Sequence, residues 1–362
     1  MGPATELERR LIERFERSGA VTFRDFMDAA LYDPELGYYN TERLKIGPAG
    51  DYYTSSNVHP AFGAVLASSF VELGLERSST LVELGAGTGQ LAYDVLSTIR
   101  QEYPAVFERL SYIIVESSAR MRERQRDRLA GFGDLVRWFD LADLEQAPIN
   151  GIAFSNEFVD ALPVHRVRRV GGGIEELYVT TTLDDESPRL RLSWGRPSTD
   201  RLSDYVTRMG VPLCEGQIVE INLDAVDWIE RMSPAVRSGF LITIDYGDLA
   251  RDLWCSQRSR GTLRSFHRHR LVDSPLERIG EQDITASVNF TVLIEYGRDF
   301  GFEFVSFERQ TAFLIRSGLI ERIAASHSSA DSFDDLKSRL AIKNLFVPAG
   351  ISDSFRVLIQ KR

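Results

Sequence analysis

The chain is expected to fold as an α/β protein on a mostly parallel sheet, with an N-terminal helical extension, a β insertion and C-terminal helices. Three observations carry this expectation. Short apolar strands alternate with segments of helical period between Leu81 and Ser155, the pattern of a parallel sheet covered by helices. The first strand runs directly into a glycine-rich turn, Glu83-Leu84-Gly85-Ala86-Gly87-Thr88-Gly89-Gln90. Polar residues suited to a site fall at the carboxyl ends of the expected strands, where open α/β sheets bind ligands.

Taken in order, Leu7, Leu11, Ile12 and Phe15 recur at helical spacing and predict a helix over 5–18. A second helix is expected from Phe23 to Leu31, beyond the break at Gly19. Tyr32 to Tyr39 is aromatic and turn-rich, and an irregular run continues to about Pro60. A helix over 61–73 leads into strand 81–84, followed by helix 90–101, strand 112–115, helix 118–130 and strands 135–139 and 151–155. Between Val164 and Trp194 the pattern changes. Gly171-Gly172-Gly173 and Asp184-Asp185-Glu186 punctuate alternating segments at 166–170, 174–182 and 189–194, which reads as an antiparallel insertion. A helix over 223–232 and an apolar strand over 240–244 return to the core. Residues 251–290 read as polar and mostly irregular, 292–300 as a helix and 303–307 as a strand. Helices around 311–326 and 331–343 precede a last strand over 355–359. The expected organisation is therefore an extension over 1–60, a core over 61–165 and 221–362, and a β-rich insertion over 166–220.

Composition narrows the function classes. At 362 residues and 43% hydrophobic content the chain can bury a substantial core. A net charge of −10 argues against general binding to nucleic acid or an anionic membrane surface. No stretch has the ~18 apolar residues of a membrane span. The two cysteines, Cys214 and Cys255, imply no disulfide framework, and Glu6, Glu8, Glu13 and Glu16 make the first residues too acidic for a signal or transit peptide. A cytoplasmic protein is the expectation. His267-Arg268-His269 lacks the further ligands of a zinc site, so no metal is expected. The arginines alternating from Arg120 to Arg128 read as a solvated helix face.

The glycine turn decides the cofactor. Glycine tolerates positive φ and lets a ligand approach bare backbone, and the following helix offers N–H groups at its start. A dinucleotide fingerprint requires G-x-G-x-x-G, yet Gln90 stands at the third glycine's place and Gly89 comes one position early. Glu83 would also repel a pyrophosphate. The pattern E-x-G-x-G-x-G instead resembles motif I of class I S-adenosylmethionine-dependent methyltransferases, whose cofactor has no phosphate and a cationic end that an acid favours.

Further residues cluster at strand ends. Glu116 closes Ile113-Ile114-Val115 and can accept hydrogen bonds from both ribose hydroxyls, or serve as an ordinary acid at a helix start. Asp140, after Phe139, resembles the residue that contacts adenine in class I methyltransferases, with Asp143 or the backbone as alternatives. Asn156 and Glu157 follow the fourth strand and could grip an acceptor nitrogen. Asp160 could do the same, or cap and position the loop. Asp245, at the end of Leu241–Ile244, would orient the acceptor or a loop.

Together these segments resemble the MidA family, which includes a mitochondrial complex I assembly methyltransferase. The resemblance starts at Gly37-Tyr38-Tyr39 and Gly50–Ser55. It continues through Phe62-Gly63, Glu83–Gly89, Asn156-Glu157-Phe158-Val159-Asp160-Ala161-Leu162-Pro163, Asp245-Tyr246-Gly247, Gly261-Thr262-Leu263 and Asp283-Ile284-Thr285, to Gln310–Leu314 and Phe355–Leu358. It implies a class I methyltransferase (Rossmann-like) fold and S-adenosylmethionine, with protein arginine as the acceptor of the mitochondrial relatives. It also implies that Gly85, Gly87, Gly89 and Glu116 bind cofactor, that Thr54 and Ser55 fold over it, and that Asn156, Glu157 and Asp160 line the acceptor site. Three segments depart from the family pattern: Ser56-Asn57, Ser287 with Asn289, and Gly350–Asp353. They lie outside the cofactor motif, so a protein acceptor competes with a small-molecule acceptor, and both compete with a cofactor-binding assembly factor that transfers nothing. A homodimer through apolar surface of the added helices is compatible with the sequence.

Overall fold

The computed structural model describes residues 4–41, 59–184, 187–268, 270–326 and 354–362. Thr54, Ser55, the helix expected over 331–343 and the departures at Ser56-Asn57 and Gly350–Asp353 lie outside the described residues. The chain divides into two units: residues 1–52, 160–228 and 248–293, and residues 53–159, 229–247 and 294–362.

The second unit supplies seven strands of one sheet. Its strands are β1 (Thr80–Leu84), β2 (Ser111–Val115), β3 (Val136–Phe139), β4 (Ile149–Asn156), β5 (Val236–Asp248), β6 (Glu303–Arg309) and β7 (Phe355–Lys361). Their order is β3-β2-β1-β4-β5-β7-β6. Strands β1 to β5 run parallel, and β7 is antiparallel to both β5 and β6. Because β1 pairs with β2 on one side and β4 on the other, chain direction across the sheet reverses there. That reversal opens a crevice beyond the carboxyl ends of β1 and β4. Helices α1 (Ala61–Phe70), α2 (Gln90–Glu102), α3 (Ala119–Leu129) and α4 (Leu141–Gln146) complete the part that shapes the site. Val65, Leu66 and Phe70 of α1 and Leu91, Val95 and Ile99 of α2 form one core with Leu81, Tyr112, Ile114 and Phe154 from the sheet. Val82 and Leu84 alternate with these residues and are also buried, so β1 is covered on both faces. Among the described residues no helix is long and apolar enough to cross a membrane.

The first unit holds the helices Glu6–Ser18 and Phe23–Tyr32, capped by the hydroxyls of Thr5 and Thr22. It also holds an antiparallel sheet in which Gly173–Asp184 pairs with both His165–Val170 and Ser187–Gly195. Leu7, Leu11 and Phe15 share a core with Phe26, Leu177, Val179 and Ile284.

Two stretches differ from the sequence reading. Residues 251–290 are not mostly irregular: Arg264–His267 pairs antiparallel with Arg270–Val272 and with Asp283–Thr285. Strands of three or four residues carry too few alternations to show a period. Arg201–Met209 is a helix that buries Leu202, Tyr205 and Met209, a stripe of three apolar positions in a polar stretch.

Candidate active site

The turn after β1 takes the form its glycines suggested. Gly85, Gly87 and Gly89 have φ of 69°, 51° and 76°, all in the region that side chains disfavour. The Gly85 N–H donates to the Val115 carbonyl at 3.0 Å and the Gly89 N–H to the Ala86 carbonyl at 2.8 Å, tying the turn to β2 and closing it on itself. A Cβ on Gly85 would stand 2.7 Å from Cδ2 of Phe158, so the turn also needs its bare backbone to pass the β4 loop.

Glu83 is buried rather than set at an open rim. It is 2% exposed, and its Oε2 accepts the Tyr112 hydroxyl at 2.6 Å. Burial pushes its carboxyl up to about 7, and the nearby Glu116 charge adds to the rise. Near neutral pH it is therefore only partly ionised, which weakens the electrostatic role expected of it.

Glu116 sits half-buried at the end of β2. Its Oε1 accepts the Ser118 N–H at 2.9 Å, and its Oε2 accepts from Nε2 of Gln125 at 3.1 Å. Burial raises its pKa and these donors oppose the rise. Asp140, after β3, is exposed, caps α4 and pairs with Arg122, while the Asp143 carboxylate accepts the Asp140 N–H at 2.8 Å. Arg122 also donates to the carbonyls of Glu116 at 2.6 Å and Phe139 at 3.1 Å. It thus fastens the ends of β2 and β3 together, so the arginine series on α3 is not wholly a solvated face.

At the end of β4 the backbone is strained. Glu157 has φ 53°, one of four non-glycine residues with positive φ among those described. Its N–H donates to the Ile244 carbonyl at 2.9 Å, and Nδ2 of Asn156 donates to its Oε1 at 3.2 Å. The next two amides, of Phe158 and Val159, donate to Oδ2 of the fully buried Asp245 at 3.2 and 2.9 Å. Asp245 therefore holds the loop, one of the two roles open to it. Oδ1 of Asn156 is buried and has no hydrogen-bond partner among the described residues. Asp160 belongs to the other unit, where it is buried and its carbonyl accepts the Ala286 N–H at 3.1 Å.

One unit thus brings Glu83, the three glycines, Glu116, Asp140, Asn156 and Glu157 to the carboxyl side of one sheet. Sequence reasoning passed over Arg122, Gln125, Trp138 and Phe158. Gln125 left a trace as an amide at i+4 in the buried stripe of Met121 and Leu129, Phe158 as part of the Asn156–Pro163 motif, and Arg122 as one of the alternating arginines. The side-chain set fits S-adenosylmethionine. A carboxylate at β2 can accept a diol, the turn carries no Cβ at Gly85, Gly87 and Gly89 to stand in a ligand's way, and Asn156 keeps an unfilled acceptor.

Comparison with known proteins agrees. A family model described as "Putative S-adenosyl-L-methionine-dependent methyltransferase" matches residues 61–307. The protein arginine methyltransferase NDUFAF7, mitochondrial, of Xenopus laevis is 28% identical over 326 residues, covering 80% of this chain and 69% of its own. The Homo sapiens protein of that name is 29% identical, covering 80% and 68%. The crystal structure of a COG1565 superfamily member from Burkholderia thailandensis bound to S-adenosyl-homocysteine superposes with a TM-score of 0.88 at 26% identity, covering 100% of this chain and 95% of that one. The chain belongs to this family: it is an S-adenosylmethionine-dependent methyltransferase with the class I fold.

Proposed function

We propose that the chain methylates a protein side-chain nitrogen, that of arginine. The observation that carries the proposal is the left-handed Glu157 at the tip of β4, held there by the Asp245 carboxylate beneath the next two amides. The relatives named protein arginine methyltransferase support the same acceptor. Bound S-adenosylmethionine supplies a methyl group on a sulfonium. Glu116 would accept the ribose hydroxyls, the Gly85–Gly89 turn would pass along the cofactor, and Asp140 would stand on the adenine side.

Arginine stays protonated in water because its pKa exceeds 12. A carboxylate at Glu157, steadied by Asn156, would orient the guanidinium, localise its charge and take up the proton released on transfer. Positioning of this kind contributes ~7–11 kcal/mol to such reactions. A cytoplasmic location remains our proposal, supported by two free cysteines; the relatives carry "mitochondrial" in their names, and cell fractionation tests the point.

The experiment is transfer of a labelled methyl group from S-adenosylmethionine into cell lysate, followed by acid hydrolysis of the protein fraction. Label in methylarginine is the expected result. Label confined to small molecules would replace the protein acceptor with a metabolite. In parallel, Glu157→Gln should bind S-adenosyl-homocysteine as the wild type does and lose about 100-fold or more in kcat. An unchanged kcat would remove Glu157 from the chemistry.

A further inference from the structure

Helix α3 turns a buried amide toward the cofactor turn. Gln125 is 0% exposed, and a polar group buried so completely is costly unless each of its atoms is satisfied. Here each is. Nε2 donates to the Gly87 carbonyl at 2.9 Å and to Oε2 of Glu116 at 3.1 Å, and Oε1 accepts the Trp138 indole N–H at 2.9 Å. The indole nitrogen can only donate, so it fixes which end of the amide is oxygen. Both Nε2 hydrogens are thereby directed at the turn and the carboxylate. Gly89 packs on the same residue: a Cβ there would meet Cα and Cγ of Gln125 at 3.4 Å, an ordinary contact, and it is the φ of 76° that calls for glycine.

We propose that Gln125 is a positioning residue for the methyl donor, whose amide ties Glu116 to the glycine turn so that the carboxylate meets the ribose hydroxyls already oriented. Ser118 holds one oxygen of Glu116 and Gln125 the other, and the Ser117 amide also turns to the carboxylate, so its orientation is fixed before a diol arrives. Trp138, at the end of β3, sets the amide in turn, so three strand ends act on one contact. The inference rests on Glu116 as a cofactor residue.

The test is a double-mutant cycle read by calorimetric titration with S-adenosyl-homocysteine. The variants are Gln125→Met, Gln125→Glu, Glu116→Ala and the combination of Gln125→Met with Glu116→Ala. Gln125→Met should weaken binding about 10-fold, as expected for loss of a hydrogen bond to a charged group. Gln125→Glu keeps the acceptor for Trp138 but faces Glu116 with a like charge, and should weaken it further. The combined variant should bind no more weakly than Glu116→Ala alone, because Gln125 acts through that carboxylate. In turnover, Gln125→Met should raise KM for S-adenosylmethionine and leave kcat and the acceptor KM unchanged. Additive losses, unchanged affinity in a folded Gln125→Met, or loss of the fold in both Gln125 variants would overturn the inference. Wild-type affinity in Glu116→Ala would instead overturn the cofactor role of Glu116, a separate result.

Discussion

At the scale of single residues, Glu157 is the position where chemistry overrides backbone preference. An L-residue in the left-handed region costs about 1 kcal/mol or more, and glycine would remove that cost. Glu157→Gly is therefore expected to melt no lower than the wild type and to lose turnover. A variant that melts lower while keeping its kcat would mean that Glu157 serves the fold. Its carboxylate was legible in the sequence, because Asn156-Glu157 follows an apolar run at a strand end. Its dihedral was not, since that depends on Asp245, 88 positions later. Gln125 was hidden for a related reason: its three partners lie on the glycine turn, the end of β2 and β3, and no local pattern joins them.

At the scale of elements, the approach of α1 to α2 sets where the cofactor turn ends. A Cβ on Gly63 would lie 2.5 Å from Cβ of Asp94 and 3.2 Å from the Val95 nitrogen, so α2 would have to move. Gly63→Ala should cost about 1–3 kcal/mol, the range for overpacking a close contact. Because Gly89 is the N-cap of α2, affinity for S-adenosyl-homocysteine should fall with it. Gly131→Ala, with open space around the new methyl, is the control, and equal melting of the two variants would refute the packing argument. Helix α2 could be read from periodicity, β1 to β5 from apolar runs set between helical segments, and the glycine turn from its spacing. The short strands of 264–285 could not, because tertiary pairing and not local pattern makes them.

At the scale of the whole molecule, the buried Glu83 links stability to pH. Its folded pKa of about 7 stands above the ordinary 4.5 because burial disfavours the charged form. Between those values the folded protein keeps a proton that the unfolded chain has lost, so stability falls as pH rises through that window. It is intact below the window. The loss amounts to roughly 3 kcal/mol for a shift of this size. Denaturant midpoints of the wild type should decline from pH 5 to pH 8 relative to Glu83→Gln, and parallel curves would contradict the linkage. The strand order β3-β2-β1-β4-β5-β7-β6 and the reversal beside β1 explain why residues 83 to 157, spread over four strands, face one crevice. The most direct test of the central claim is calorimetric titration of the wild type and Glu116→Ala with S-adenosyl-homocysteine. One-site binding that weakens about 10- to 100-fold in the variant is the expected result, from hydrogen bonds to a charged group worth ~1.5–3 kcal/mol. No binding to the wild type, or equal binding to both, would contradict the account.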